Sequence, residues 1–368
     1  MAQLNICSAK IIENIKILND FMAKYDKKWT LISKVLSGNK KILNEIIKSG
    51  NLSGIHSIGD SRISSLRAVK ELNPDVITMY IKPPAINYAQ EIIEVADISM
   101  NTSIETLVVL NEAASRRNKI HKAIIMIEMG ELREGILHEN VIDFYSNVFE
   151  LPNIEIVGLG TNLGCMYGIE PTFDKLLQLS LYKQLIDIKF NQNLNLISGG
   201  TSITLPLIEK GKVPKEINHF RIGESAFLGV SPLNNERFLE LHTDAFNVEA
   251  TIVEIEEKEY LPEGIISDGN VGHTGDNSSH DEGTSSKALV DFGILDVNIE
   301  NIESNDEDVS FIGTTSDITV FDLGDNKNPD GSTKYKVGDS ISFSPSYMGV
   351  ARLMSSKFVD KTIFCQDD

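Results

Sequence analysis

The sequence predicts an α/β fold: a (β/α)8 TIM-type barrel over residues 1–229, followed by a C-terminal, mostly β domain over residues 230–368. Three observations carry this expectation. Short apolar runs repeatedly end in small or polar residues and are followed by segments of helical periodicity. Eight such runs fall within about 200 residues, the spacing that βα units demand. From about residue 230 the rhythm changes to β-rich runs separated by turns.

The first run, "TLISKVL", precedes "KKILNEIIKSG", in which Ile42, Leu43, Ile46 and Ile47 fall on one helical face. The alternation recurs through "GIHSIGD", "DVITMYI", "DISMNTS", "KAIIMIEMG", "IEIVGLGTN", "LNLISGG" and "HFRIGESAFLG". Parallel strands with intervening helices close most economically into a barrel whose C-terminal strand ends converge on one face and carry the chemistry. Beyond it, "AFNVEATIVEIEEKEY", "SKALVDFGIL", "DVSFIGTTSDITVFDLG" and "DSISFSPSY" read as strands, and the next helix of useful length is "YMGVARLMSSKFV". The glycine- and serine-rich "SDGNVGHTGDNSSHDEGTSS" reads as a long loop, and the acidic "ENIESNDEDVS" as a solvated surface turn.

Composition excludes several classes of function. With 34 Lys+Arg against 53 Asp+Glu, the net charge of −19 repels nucleic acid and anionic membrane. No apolar run reaches the roughly 18 residues that span a bilayer, and "MAQLNICSAK" lacks a basic start followed by an apolar stretch, so a cytoplasmic protein is expected. Cys7, Cys165 and Cys365 are far apart and without CxxC spacing, which supports neither a disulfide framework nor a metal site.

The strand ends are where chemistry is expected. Lys34 closes the first full barrel strand; partial burial there would lower its ammonium pKa and free the amine to attack a carbonyl, and the alternative is a surface lysine. In "LISGGTSIT", Gly199 and Gly200 leave backbone N–H groups unobstructed beside the hydroxyls of Thr201 and Ser202, which suits a phosphate as well as it suits a helix cap. Arg221 lies in an apolar strand with no neighbouring acid, and a buried guanidinium requires a specific partner. Arg133 follows another strand end, where a salt bridge with Glu128, Glu131 or Glu134 competes with a ligand role. A lysine, a phosphate cradle and arginines on one barrel face suggest pyridoxal 5′-phosphate.

These motifs resemble the alanine racemase family of fold-type III pyridoxal-phosphate enzymes, and within it most closely the ornithine racemase branch of amino-acid racemases. The resemblance implies that Lys34 in "SKVLSGN" holds the cofactor as a Schiff base. It implies that Arg133 in "GELREG" contacts the cofactor's phenolic oxygen and that Arg221 in "FRIGESAFLG" faces the pyridine nitrogen. Thr201 and Ser202, with Gly200, match the phosphate-binding strand, and Tyr347 in "SYMGVARLMSSKF" matches a tyrosine that reaches the phosphate.

The departures are informative. Asn162 in "GLGTNLG" stands where alanine racemases carry a histidine under the ring, and Ser37, Gly38 and Asn39 stand where a phosphate-binding tyrosine follows their lysine. Their second catalytic base, a tyrosine early in the β domain, has no counterpart in "IISDGNVGHTGDN". His273, Tyr347 or a residue that the sequence does not single out is the candidate for that base. The expected activity is racemisation, most closely of ornithine or a similar basic amino acid, by removal and return of the Cα proton, with Lys34 serving one face. Arg221 would keep the pyridine nitrogen unprotonated, because adjacent positive charges repel, and so discourage transamination. A lyase or aldolase on the same fold and a non-catalytic cofactor-binding protein are the alternatives. Glu128, Glu131, Glu224 and Asp317 are candidate acids for a cationic substrate. A homodimer with shared active sites is expected, as in the family.

Overall fold

The computed structural model describes residues 2–266, 269, 272–275 and 283–364. It contains two compact units, one of residues 10–243 and one of residues 1–9 with 244–368.

After β1 (Gln3–Cys7), the strands β2 (Lys28–Ile32), β3 (Ser57–Asp60), β4 (Thr78–Tyr80), β5 (Ile98–Asn101), β6 (His121–Met126), β7 (Ile154–Gly160), β8 (Leu196–Thr201) and β9 (His219–Ile222) follow in chain order. β2 to β9 form a closed parallel barrel of eight strands, the eight runs recognised in the sequence. Closure comes from β2 on β9, with Lys28 opposite His219 and Leu31 opposite Ile222. The helix Lys40–Lys48 begins where Asn39 accepts hydrogen bonds from the N–H groups of Lys41 and Ile42, and it buries Ile42, Leu43 and Ile46. Ser103 and Thr172 cap the helices Ile104–Arg116 and Phe173–Phe190 in the same way.

The barrel interior is divided by chemistry. Met79, Ile98, Met100, Ile124, Met126 and Leu196 form a buried apolar cluster, each side chain contributing about 1.5–3 kcal/mol of burial free energy. β2, β3, β8 and β9 also bury a set of polar side chains: Thr30, Ser57, Ser198, His219 and Arg221. The two parts meet where Thr30 Oγ1 lies 3.9 Å from Met79 Sδ. The barrel unit continues through a hairpin of β10 (Val230–Ser231) and β11 (Glu236–Arg237).

The other unit is built on β12 (Phe246–Glu259), β13 (His273–Thr274), β14 (Thr284–Val290), β15 (Ile302–Ser304), β16 (Ser310–Thr314), β17 (Thr319–Asp322), β18 (Ser340–Pro345) and β19 (Asp360–Phe364), with the helix Tyr347–Ser355. Its sheet runs β13-β16-β17-β14-β12-β1-β19, and β18 pairs with β12 and β15. Along the first half of β12, Phe246, Val248, Ala250 and Ile252 are buried in strict alternation. Phe343 packs against Phe321 and Phe292, with ring centroids 5.2 and 5.7 Å away.

The division differs from a single cut at residue 229. β1 lies antiparallel to β12 and parallel to β19, inside the β unit. Its partners stand more than 200 residues away in the chain, so nothing local in "QLNIC" signals the pairing. "ENIESNDEDVS" is also more than a solvated turn. It contains β15, and Asp306 accepts hydrogen bonds from Lys334 Nζ at 2.8 Å and the Tyr335 hydroxyl at 2.5 Å. No helix among the described residues is long and apolar enough to cross a membrane.

Candidate active site

Lys34 stands two residues beyond the end of β2. Ser33 turns the chain out of the strand, and Lys34 opens a 3-10 turn that ends with Ser37 in the left-handed region at φ 50°. Gly38 follows at φ 73°, and an added Cβ there would stand 3.2 Å from Ser65. Two successive left-handed residues thus reverse the chain into the helix Lys40–Lys48, which explains the "SGN" after the lysine. Val35 and Leu36, fully buried, pin the turn, while Lys34 itself is exposed. Ser33 Oγ donates to Asp60 Oδ2 at 3.1 Å and the Arg62 N–H donates to Asp60 Oδ1 at 2.9 Å, joining the ends of β2 and β3. Burial pushes the Asp60 carboxyl up despite these donors. Burial also pushes the Glu224 carboxyl up, and the nearby Lys34 charge opposes that rise.

Arg221 is 4% exposed. Its Nη1 donates to Ser198 Oγ at 2.6 Å, and its Nη2 donates to the Thr161 carbonyl at 2.9 Å and to Asn162 Oδ1 at 2.5 Å. All three acceptors are neutral. Burial brings the guanidinium pKa down to about 10, so it is charged at neutral pH. Asn162 continues the network, its Nδ2 donating to Glu134, which also accepts from Nε and Nη2 of Arg133. Arg133 Nη1 donates to Cys165 Sγ. Arg133, Glu134, Asn162 and Arg221 therefore form one connected group, and Glu134 is the partner among the three acids considered for Arg133.

On β8 the register against β9 slips between Ser198 and Thr201, an extra residue taken up at the glycine pair. Gly200 has φ 126°, and an added Cβ would stand 2.6 Å from Thr204 Oγ1; Gly199 has only 2.3 Å to Ile217. These glycines are required by backbone conformation and close packing. Ser202 Oγ accepts from the N–H groups of Gly223 at 3.4 Å and Ser225 at 3.2 Å, drawing the segment after β9 toward the end of β8. The donors that suit a phosphate are thus the hydroxyls of Thr201 and Ser202. The set also includes an exposed amine and a buried cation whose direct partners are neutral. A cofactor with an aldehyde, a phosphate and a basic ring nitrogen fits it.

The remaining candidates separate. The Glu128 carboxylate accepts from the N–H groups of Gly130, Leu132 and Arg133. Glu131, buried, accepts from those of Cys165, Tyr167 and Ile169. Burial would raise the Glu131 carboxyl, but the backbone donors outweigh it and hold the pKa below the usual range. Both acids are structural braces. Asp317, in the β unit, is exposed and accepts from Ser316 Oγ. His273 and Tyr347 also belong to the β unit, His273 exposed on β13 and Tyr347 half-buried at the start of its helix. Sequence reasoning passed over Asp60, Ser198 and His219. Only His219 left a signal, since it precedes Arg221 by two residues and so shares its face of β9.

A closed parallel barrel bearing an amine, linked arginines and phosphate donors defines a cofactor-dependent barrel enzyme. Residues 6–232 match the family model "Alanine racemase, N-terminal domain". The chain is 31% identical over 355 residues to ornithine racemase of Acetoanaerobium sticklandii, covering 96% of this chain and 97% of that protein. It is 28% identical over 330 residues to lysine racemase of Thermotoga maritima, covering 90% and 89%. The crystal structure of alanine racemase from Bartonella henselae with covalently bound pyridoxal phosphate has the same fold, with a TM-score of 0.71, 14% identity and 99% of each chain covered. The chain belongs to the alanine racemase family, and is a pyridoxal 5′-phosphate-dependent amino-acid racemase.

Proposed function

We propose that the enzyme interconverts the L and D forms of ornithine, or of a basic amino acid close to it, as a cytoplasmic homodimer with shared active sites. The observation that carries the racemase chemistry is Arg221, a buried cation bound to three neutral acceptors. Pyridoxal phosphate, when bound, supplies the carbonyl that condenses with amines and the electron sink that acidifies the Cα proton. Lys34 offers the amine for that condensation and, once released, takes or returns the proton on one face of Cα. Arg221 would face the ring nitrogen of the bound cofactor and, being charged, would oppose its protonation. That limits how much charge leaves Cα and favours return of the proton there over transamination.

Arg133 holds the phenolic oxygen side, with Glu134 fixing its guanidinium and Asn162 spacing the two arginines. Gly200, Thr201, Ser202 and Tyr347 serve the phosphate. The opposite face of Cα needs a second base, for which His273 and Tyr347 are the candidates, each supplied by the β unit of the partner chain. Substrate preference rests on the two relatives, which are named for ornithine and lysine. With Glu128 and Glu131 committed to backbone donors, Glu224 is the acid suited to a substrate ammonium.

The test is incubation with L-ornithine, L-lysine and L-alanine in heavy water, followed by chiral separation and mass analysis. Deuterium at Cα in both enantiomers of ornithine, faster than for alanine, is expected. Cleavage of a C–C bond, or exchange confined to alanine, would overturn the proposal.

A further inference from the structure

Arg221 is one end of a side-chain hydrogen-bond chain that crosses four strands of the barrel. Its Nη1 donates to Ser198 Oγ, which lies 3.0 Å from His219 Nδ1. His219 Nε2 lies 2.8 Å from Thr30 Oγ1, Thr30 Oγ1 lies 2.7 Å from Ser57 Oγ, and Ser57 Oγ lies 3.2 Å from His56 Nδ1. From Arg221 to Ser57 every member is less than 5% exposed, so water cannot substitute for a missing partner.

The direction of the chain follows from its end. A guanidinium only donates, so Ser198 Oγ accepts from Arg221. The Ser198 proton then needs an acceptor, and the one in reach is His219 Nδ1. Burial pushes His219 well below its ordinary pKa, so the imidazole is neutral and carries a single N–H. With that proton on Nε2, His219 donates to Thr30, Thr30 to Ser57 and Ser57 to His56, and every donor is satisfied. With the proton on Nδ1, two donors point at Ser198 Oγ and the Ser198 hydroxyl proton is stranded in a dry interior.

We propose that His219 is a positioning residue for Arg221: as the Nε2–H tautomer it accepts the Ser198 proton, commits Ser198 Oγ to the guanidinium and locks the orientation in which Arg221 meets the cofactor's ring nitrogen. The inference rests on the reading of Arg221 as the arginine opposite that nitrogen. Thr30, one step further, sets the tautomer of His219 without approaching the cofactor side of Arg221. Replacing its hydroxyl with a methyl removes the acceptor for Nε2–H, so that one buried donor is unmatched in either tautomer and the preference for Nε2–H is lost.

The experiment uses 15N-histidine-labelled enzyme, with and without cofactor, in unaltered form and as Thr30→Val, which preserves side-chain shape. Long-range 15N–1H spectra are expected to show His219 as the Nε2–H tautomer in unaltered protein and as a mixture of both tautomers in Thr30→Val. In the holoenzyme, the ratio of transamination to racemisation is expected to rise about fivefold in Thr30→Val, the equivalent of one ordinary buried hydrogen bond. An Nδ1–H tautomer in the unaltered protein would overturn the proposal. Arg221→Gln, measured in parallel, separates the two levels of the argument. A flat ratio there overturns the reading of Arg221, whereas a raised ratio there beside a flat one in Thr30→Val overturns the chain alone.

Discussion

Arg221 and Asn162 are held at 2.5 Å, the arginine's Nη2 donating to the amide oxygen, while the amide nitrogen turns to Glu134 and, through it, to Arg133. One neutral side chain therefore sets the spacing of two cations that would otherwise repel.

Asn162→Ala should uncouple them. It strips a buried guanidinium of one of its three acceptors and leaves Glu134 held by Arg133. Hydrogen bonds to charged groups are typically worth about 1.5–3 kcal/mol, so kcat should fall about ten- to a hundredfold with the chain still folded. Steady-state kinetics beside a thermal melt checks this, and an unchanged kcat would remove Asn162 from the site.

Lys34→Ala should fold normally, because the side chain is exposed and the turn is anchored by Val35 and Leu36. Borohydride treatment followed by intact mass should show no covalent cofactor. Racemisation should drop by at least the roughly 10²–10⁴ that a positioned acid/base group contributes. Undiminished racemisation would sink the assignment of Lys34.

His121, 3% exposed, bonds through Nε2 to Ser99 Oγ at 2.7 Å, and burial takes its pKa from an ordinary 6.5 down to about 4. The folded chain resists the proton that the unfolded chain accepts. The stability contributed by neutral His121 is therefore complete above pH 6.5 and is lost as pH falls toward 4, by about 3 kcal/mol in all. Urea midpoints between pH 7 and 4 should show this slope, reduced in His121→Gln by about the uptake of one proton. Parallel slopes for the two proteins would contradict the assignment.

Shared sites make a quantitative statement about mixtures. If Lys34 and Tyr347 of one site come from different chains, dimers of Lys34→Ala with Tyr347→Ala carry one site with both lesions and one intact site. Random reassembly of the two inactive homodimers should recover about a quarter of the original activity. No recovery, with heterodimers verified by native mass spectrometry, would place both groups in the same chain's site.

The barrel was legible because each βα unit is a local object: Ile42, Leu43 and Ile46 report a helix face over a single stretch, and the strand before it ends where Lys34 begins to turn. The alternation along β12 is local in the same sense. The candidate site was legible in kind, since an isolated arginine in an apolar strand and a glycine pair followed by hydroxyls are unusual enough to need explanation. Their partners were not. Arg221 meets Thr161 and Asn162 some sixty residues away in the chain, and β1 finds its place only beside β12 and β19.

By itself, then, the amino-acid sequence determined the element types, the strand ends that carry chemistry and the family to which they point, because periodicity and residue type are properties of neighbouring residues. The tertiary structure alone decided which acid holds Arg133, which acids merely brace loops, and how Ser198, His219 and Thr30 align behind Arg221. Hydrogen-bond partnership depends on distances of about 3 Å between atoms on different strands, which only closure of the barrel establishes.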